Sequence, residues 1–171
     1  MADLLTPAQR SENMRRIKSK GMKPEMTVRS LVHALGYRYR LHRSDLPGKP
    51  DLVFSPRRKV IFVHGCFWHG HDNPGCVDGQ RRPKSNLDYW LPKLARNQQR
   101  DQARIAELGQ LGWSAMVIWE CETRDSTSLA ERLRHFLTSS VVSHPQFVRE
   151  RAALGQMAAG TIAPAQSIAA E

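Results

Sequence analysis

The sequence has no apolar run near the roughly 18 residues that a membrane-spanning helix needs. Its N-terminal segment also lacks the apolar core of a secretory signal peptide. We therefore expect a soluble, cytoplasmic protein. With 171 residues, the chain is long enough for one domain with a buried core.

Cysteine is scarce, with three residues at positions 66, 76 and 121. Three cysteines cannot all pair within one chain, so a disulfide framework is a poor explanation for them. Metal binding is the alternative use that deserves weight.

Acidic residues are outnumbered, with 16 Asp and Glu against 26 Lys and Arg, and the formal net charge is +10. Nearly all of the excess lies in residues 1–60, which hold 14 basic and 5 acidic residues. A solvated surface would not require such a concentration in one third of the chain. The distribution favours a surface that binds the phosphates of nucleic acid.

The apolar pattern predicts three helices and four strands in the order helix, strand, strand, strand, helix, strand, helix. The helices cover residues 24–35, 86–109 and 126–137, and the strands cover 37–41, 51–54, 59–64 and 113–119. Thr6 is a predicted N-cap, Asn86 is another, and Trp90 and Leu108 are expected to face the core. This order is typical of a small α/β sheet with helices on both faces.

Three regions are expected along the chain. Residues 1–20 form a basic arm that binds DNA, residues 21–138 form the main domain, and residues 139–171 form a disordered tail rich in Ala, Gly and Gln. Within the main domain, residues 65–85 are predicted to be a long irregular loop. Loops of this length inside a compact domain are usually functional.

Asp51 is predicted to face the end of the neighbouring strand. A hairpin turn centred on residues 56–57 places it opposite about Phe62 to His64. A carboxylate beside a strand-end carbonyl offers the hard oxygen ligands that Mg²⁺ prefers. An isolated Pro-Asp pair more often caps a turn, but here the facing strand leads into His64 and His69, which favours a function.

The cysteines are predicted to gather at one edge of the sheet. Strands 59–64 and 113–120 are joined through a long helix, so they should be parallel and end at the same edge. Cys66 and Cys121 would then meet, and His71 and Cys76 could fold back onto them. Three sulfurs and one imidazole suit a tetrahedral structural zinc ion. The alternative is that the three cysteines are buried and unrelated.

The loop also carries two histidines outside that zinc set and two adjacent aromatics. His64 and His69 titrate near neutral pH, and an imidazole can act as general base toward a water that attacks phosphorus. Phe67 and Trp68 either pack in the core or wedge between base pairs, and Met14 in the arm could wedge from another side.

Several segments, in the same order over residues 8–138, resemble the very-short-patch-repair DNA mismatch endonucleases. They are Arg10-Ser11-x-Asn13-Met14-Arg15, Leu46-Pro47-Gly48-Lys49-Pro50-Asp51, Val60-Ile61-Phe62-x-His64-Gly65-Cys66-Phe67-Trp68-His69, and Gly112-Trp113 through Val117-Ile118-Trp119-Glu120-Cys121. The resemblance implies the restriction-endonuclease-like fold. It also implies a Mg²⁺-dependent nick on the 5′ side of the thymine in a T·G mismatch that arises by deamination of 5-methylcytosine.

The resemblance also implies a role for individual residues. Asp51 would bind Mg²⁺ together with the main-chain carbonyl of Val63, and His69 would be the general base. Three residues would support the site: Glu25, His64 and Asp101. Phe67, Trp68 and Met14 would insert beside the mismatch. A structural zinc ion would be held by Cys66, His71, Cys76 and Cys121.

Two positions depart from the family pattern. Val63 stands where a hydroxyl residue is common, which preserves a carbonyl ligand but not a side-chain role. Cys76 follows His71 by five residues where a shorter step is usual, so Asp72 or His69 are alternatives for that pair of zinc ligands.

Partners and competing functions follow from the same analysis. We expect a monomer that acts on double-stranded DNA with a T·G mismatch in the nucleoid, with mismatch-repair proteins as candidate partners. The competing functions are a restriction-type nuclease that cuts both strands and a non-catalytic DNA-binding module stabilised by zinc.

Overall fold

A computed structural model describes residues 21–139 together with Thr6, Gln9 and Glu12. Thr6 behaves as the predicted cap, because its hydroxyl accepts a hydrogen bond from the Gln9 N–H at 3.2 Å and its N–H donates to the Gln9 side chain at 2.8 Å. The rest of the predicted arm, including Met14, and the predicted tail from residue 140 lie outside the described residues.

The described residues form a small mixed sheet with helices around it. The helices are α1 (Lys23–Ala34), α2 (Cys66–His69), α3 (Val77–Gln80), α4 (Leu87–Gln110) and α5 (Ser126–Thr138). The strands are β1 (Arg40–Leu41), β2 (Leu52–Phe54), β3 (Lys59–His64) and β4 (Ser114–Trp119), and 3-10 turns cover Ser55–Arg57 and Glu120–Arg124. No helix in this part of the chain is long and apolar enough to span a membrane.

The sheet has the strand order β1-β2-β3-β4. The first two pairings are antiparallel and β3 pairs with β4 in parallel, so both the predicted hairpin and the predicted crossover are confirmed. The predicted architecture, a small mixed central sheet flanked by helices, is also confirmed. The first strand is shorter than predicted, because only Arg40 and Leu41 pair with β2.

The core has two layers, one on each face of the sheet. On one face the sheet packs against α1 and α5 through Val28, Val32, Leu52, Phe54, Ile61, Ile118, Leu129, Leu133 and Leu137. On the other face it packs against α4 through Leu46, Val53, Val60, Phe62 and Leu108. Successive residues of β2 and β3 alternate between these layers, as pleated strands require. The middle of β3 is therefore packed on both faces.

The start of β3 carries a buried charge. The Lys59 ammonium donates hydrogen bonds to the main-chain oxygens of Phe136 and Ser139, and to the Ser139 hydroxyl at 3.1 Å. These bonds satisfy carbonyls at the C-terminal end of α5, which the helix itself leaves unpaired. Burial lowers the pKa of Lys59, and the charge of Arg57 lowers it further.

The segment 65–85 is more ordered than predicted, because it contains the two short helices α2 and α3. Helix α2 ends at Gly70, whose φ of 64° is left-handed, and a side chain at that position would collide with Gln98. Asn86 does occupy the position before α4, but it is also left-handed and its side chain makes no capping hydrogen bond. Trp90 does not join either core layer and instead contacts the rings of Phe67 and Trp68.

Candidate active site and metal centre

Asp51 lies where the hairpin register predicts it. It immediately precedes β2, whose first residue Leu52 pairs with Ile61, and its Oδ2 accepts a hydrogen bond from the Val63 N–H at 2.7 Å. Burial raises the pKa of Asp51, an effect that the Val63 hydrogen bond only partly offsets. The carboxylate is thus fixed in position and poorly solvated, which makes a bound cation a favourable partner.

His42 approaches Asp51 from the other neighbouring strand. Its Nδ1 lies 3.7 Å from Asp51 Oδ1, and its Nε2 lies 3.2 Å from Glu25 Oε1. The ligand atoms of these three residues all lie within 4.8 Å of one another. The sequence reasoning missed His42. The pairing of Leu41 with Leu52 could have revealed it, because the next residue of an antiparallel partner then faces Asp51.

Glu25 is already occupied by protein groups. One of its oxygens bonds to the guanidinium of Arg29, and the other accepts a hydrogen bond from the Gly21 N–H. The same Arg29 nitrogen lies 2.9 Å from His42 Nε2. Glu25 therefore contacts Arg29 and His42, whereas the predicted base lies in a different cluster.

His64, His69 and Asp101 form that second cluster. The two imidazole rings are stacked, with centroids 4.0 Å apart and planes 12° from parallel. His69 Nδ1 is hydrogen bonded to Asp101 Oδ2. The pKa of His64 is lowered to about 4, mainly by burial of the ring and in smaller part by the nearby His69. His64 is therefore neutral at physiological pH.

Asp101 remains charged in this cluster. Burial on its own would raise the pKa of Asp101, but the hydrogen bond with His69 and the charge of nearby Arg100 contribute to lowering it below its usual value overall. A charged carboxylate on Nδ1 favours the tautomer in which that nitrogen carries the proton, which leaves Nε2 of His69 as the basic atom.

Both clusters open onto one cleft of about 920 Å³. Asp51, Val63, His64, His69 and Asp101 all line it. Glu25 is not among the lining residues, in contrast to the shared site expected from the sequence. The walls also carry three cationic side chains, from Lys49, Arg100 and Arg104. The cleft therefore combines several carboxylates, an oriented imidazole and cationic side chains, one of which, Arg104, pairs with Glu107.

A separate cluster contains the three cysteines. The ligand atoms of Cys66, His71, Cys76 and Cys121 lie within 4.8 Å of one another, and Cys121 Sγ is 3.4 Å from His71 Nδ1. Cys66 follows β3 and Cys121 follows β4, so the parallel strands bring them together as predicted. No pair of these cysteines forms a disulfide.

This donor set fits zinc, because three sulfurs and one imidazole are the ligands of many structural zinc ions. The unusual spacing is absorbed by residues 72–75, which are exposed while His71 and Cys76 at either end are buried. The alternative ligands are placed elsewhere, since Asp72 is exposed and His69 is bonded to Asp101.

Phe67 and Trp68 form an aromatic cluster with Trp90. The ring centroids are 5.0 Å apart for Phe67 and Trp68, 5.8 Å for Trp68 and Trp90, and 6.4 Å for Phe67 and Trp90. All three side chains are half-buried, and none belongs to either core layer. Of the two uses predicted for Phe67 and Trp68, the structure does not show core packing.

Comparison with known proteins places this site in a family. Residues 2–74 match the family model described as DNA mismatch endonuclease Vsr. The chain is 54% identical over 140 residues to the type II nicking enzyme V.XorIIP of Xanthomonas oryzae pv. oryzae, covering 82% of this chain and 100% of that protein. The chain belongs to the Vsr family of DNA mismatch endonucleases.

Two further proteins of known sequence or structure are similar to this chain. The chain is 37% identical over 142 residues to the DNA mismatch endonuclease Vsr of Escherichia coli, covering 80% of this chain and 88% of that protein. Among solved structures it is similar to the catalytic domain of the homing endonuclease I-Bth0305I, with a TM-score of 0.46, 16% identity, and coverage of 70% of this chain and all of that one.

Membership of the Vsr family establishes the class of activity. The protein is a DNA endonuclease, and hence a phosphodiester hydrolase, of the mismatch and nicking type. The prediction of an enzyme is confirmed, and the alternative of a non-catalytic DNA-binding module is set aside. The cleft and the clusters are therefore parts of a nuclease.

Proposed function

We propose that the protein nicks DNA on the 5′ side of the thymine in a T·G mismatch, with Mg²⁺ as cofactor. Such mismatches arise when 5-methylcytosine deaminates, and the nick would begin very short patch repair. The names of the relatives support a mismatch-directed, single-strand cut. The observation that carries the proposal is the shared cleft of Asp51 and the His69–Asp101 pair.

The residues around Asp51 fit a Mg²⁺ ion. The Asp51 carboxylate and the main-chain carbonyl of Val63 would hold it, and both are hard oxygen donors of the kind that Mg²⁺ prefers. Val63 in place of a hydroxyl residue does not change this, because the ligand is main chain. When bound, Mg²⁺ stabilises the negative charge that develops around phosphorus.

His69 would be the general base. Asp101 holds the proton on Nδ1 and leaves Nε2 to take a proton from water, and its negative charge stabilises the imidazolium that results. His64 is neutral because the pKa of its buried ring is lowered to about 4, so it adds no positive charge that would oppose protonation of His69. Glu25 would support Asp51 indirectly, through His42.

The cationic side chains of the cleft would bind the DNA backbone. Lys49 and Arg100 would neutralise phosphates near the scissile bond, and Arg104, which pairs with Glu107, would add to them. Such contacts fix the register of the duplex without reading its sequence. We propose that the basic segment 1–20 is a further DNA-binding arm and carries Met14 to the duplex.

The aromatic cluster would supply preference for a mismatch. Phe67 and Trp68, supported by Trp90, would wedge into the duplex and unstack it. A T·G pair is weaker than a normal pair, so the deformation costs less there. The zinc ion would have a structural role, because Cys66 begins the same short helix that carries Phe67, Trp68 and His69.

Strand-specific cleavage tests the proposal. Duplexes that differ only in T·G, T·A or C·G at one position, labelled separately on each strand, are incubated with and without Mg²⁺. We expect a single cut 5′ to the thymine of the T·G duplex, and only with Mg²⁺. Cuts in both strands would instead support the restriction-type nuclease, and equal cutting of T·A and T·G would refute mismatch specificity.

The remaining parts of the proposal concern context. We propose a monomer, because one chain supplies both the carboxylate and the imidazole of the cleft. We also propose that the protein acts at nucleoid DNA, with mismatch-repair proteins as candidate partners. Sedimentation of the protein with and without a mismatched duplex tests the monomer, and a shift to a dimer on DNA would contradict it.

A further inference from the structure

Trp119 lies between the zinc ligands and the proposed catalytic base. It is the last residue of β4 and pairs in register with His64, the last residue of β3. Its indole stacks on the ring of His71, with centroids 4.3 Å apart and planes 9° from parallel. It also contacts the ring of His64 edge to face, with centroids 5.5 Å apart and an angle of 74° between the planes.

These contacts extend into a continuous column of rings. His64, which meets Trp119 edge to face, also stacks on His69 with ring centroids 4.0 Å apart. His69 in turn bonds to Asp101. The column therefore runs from His71 through Trp119 and His64 to His69, and connects the cysteine cluster to the cleft.

The column of rings stabilises the orientation of His69, which the short helix α2 cannot fix by itself. Helix α2 has only four residues, and so short a helix does not maintain its own geometry. The hydrogen bond to Asp101 fixes one atom of the imidazole but leaves the ring free to tilt about that bond. A ring stacked on its face removes this freedom, and His64 provides that ring.

His64 itself needs support to serve in this way. Phe62, on the same strand, has its ring centroid 5.8 Å from that of His64, and Trp119 contacts His64 from β4. Trp119 is half-buried and belongs to neither core layer, so filling the core does not account for its position. Its main-chain N–H donates to Glu122 at 2.9 Å, which fixes the end of the strand.

We propose that Trp119 is a positioning residue for His69, and that it transmits the geometry of the Cys66–His71–Cys76–Cys121 cluster to the base through His64. The proposal rests on the role of His69 in the proposed function. It assigns Trp119 no contact with DNA. It predicts that loss of the indole slows the reaction without weakening substrate binding.

The test compares Trp119→Leu with Trp119→Phe. Leucine removes the ring and phenylalanine retains one. A displacement of about 1 Å in a reacting group can cost on the order of a hundredfold in rate. We expect Trp119→Leu to lower kcat on the T·G duplex by about tenfold to a hundredfold, with KM nearly unchanged. Trp119→Phe should restore most of kcat.

Trp113→Leu is the matched control. Trp113 lies just before β4, at the opposite end of the strand, and packs beside the second core layer rather than the cleft. It should lower stability while kcat of the folded protein stays near that of the wild type. Zinc content should remain about one per chain in all three variants, because none of them removes a ligand.

An imidazole signature separates positioning from general damage. The ring-proton NMR resonances of His64 and His69 should move in Trp119→Leu, because a ring current is lost beside His64, and should stay in place in Trp113→Leu. Unmoved resonances, a loss of kcat as large in Trp119→Phe as in Trp119→Leu, or an equal loss in Trp113→Leu would each overturn the proposal.

The two proposals fail differently. A wild type that nicks T·G duplexes while Trp119→Leu retains full kcat refutes the role of Trp119 alone. A wild type that nicks no duplex refutes the proposed function, and the role of Trp119 in catalysis falls with it.

Discussion

The cysteine cluster and the cleft lie at the same edge of the sheet, yet they differ in ligand type and in exposure to solvent. The cluster consists of Cys66, His71, Cys76 and Cys121, three of them buried. The cleft is open to solvent and is lined by carboxylates, imidazoles and three cationic side chains. Soft ligands that are closed off favour a metal that holds structure, and hard ligands in an open cleft favour one that meets a substrate.

The difference shows how a small domain separates stability from chemistry over a short distance. Both centres depend on the parallel ends of β3 and β4, and the four residues of α2 link them, with Cys66 at one end and His69 at the other. Damage to the cluster should therefore affect folding first and activity second. Damage to the cleft should affect activity alone.

The largest expected effect is that of Asp51→Asn. The amide can still accept the hydrogen bond from Val63, but it is neutral and a poor ligand for Mg²⁺. We expect nicking to fall about 10³-fold or more, or about 4 kcal/mol in activation free energy, with folding and zinc content unchanged. Asp45→Asn, at an exposed carboxylate of the same cleft that pairs with Arg43, is the control and should nick normally. Near-normal activity in Asp51→Asn would contradict the assignment of the cleft as the catalytic metal site and of the cysteine cluster as the structural one.

The second effect is that of Cys121→Ser. Loss of a sulfur ligand should release zinc, and we expect the free energy of unfolding to fall by about 3–5 kcal/mol. Metal analysis and chemical denaturation measure both changes. Thr123→Ser, which keeps the hydroxyl that bonds to Glu120, is the control and should retain zinc. If Cys121→Ser remains as stable as the wild type, the cluster has no structural role.

The third effect is that of Asp101→Asn, which sharpens the assignment within the cleft. Because the charge that supports imidazolium at His69 is lost, we expect kcat to fall about tenfold to a hundredfold. Zinc content and the melting temperature should not change. Arg104→Lys is a control that keeps a cation on the same face of α4 and should alter KM more than kcat. A variant of Asp101 with unchanged kcat would argue against His69 as the base.

The smallest effect concerns the opposite end of β3. Lys59→Met leaves the carbonyl of Ser139 without its lysine donor and leaves that of Phe136 with the Ser139 hydroxyl alone, and we expect a loss of about 1–3 kcal/mol in stability. Nicking per folded molecule should not change. Lys84→Met, at an exposed lysine, is the control and should cost less than about 0.5 kcal/mol.

The same variant gives a pH dependence. Burial lowers the pKa of Lys59 in the folded state below 10.5, its ordinary value in the unfolded chain. Between the folded-state pKa and 10.5, the unfolded chain therefore binds more protons than the folded one. Stability from this residue therefore rises with pH across that window. The deficit of Lys59→Met relative to the wild type should grow as pH rises toward 10.5. Denaturation curves at neutral and alkaline pH would show it, and a deficit that shrinks would contradict the assignment.

Much of this arrangement could be predicted from the sequence, because it follows from strand direction. The hairpin register placed Asp51 beside Val63, and the parallel crossover brought Cys66 to Cys121. Both are consequences of backbone pairing, which short apolar runs and turn residues specify well.

The parts that sequence reasoning missed depend on side-chain geometry. His42 lies opposite Asp51 because Leu41 pairs with Leu52, a register that the sequence reasoning did not assign, and its backbone is left-handed at φ 46°. Trp90 was predicted to face the core because it is large and apolar, but its place near the start of α4 sets it against Phe67 and Trp68. The occupation of Glu25 by Arg29 is likewise a matter of side-chain packing across one helical turn.

Gly79 has a consequence for how this protein can be altered. A Cβ at Gly79 would collide with the main-chain oxygen of His71, so α3 packs directly on that residue, while residues 72–75 of the intervening segment are exposed. The bend at 72–75 is thus an attachment point. A label attached at one of these exposed positions is expected to leave the buried side chains of His71 and Cys76 in place, whereas any side chain at Gly79 displaces His71.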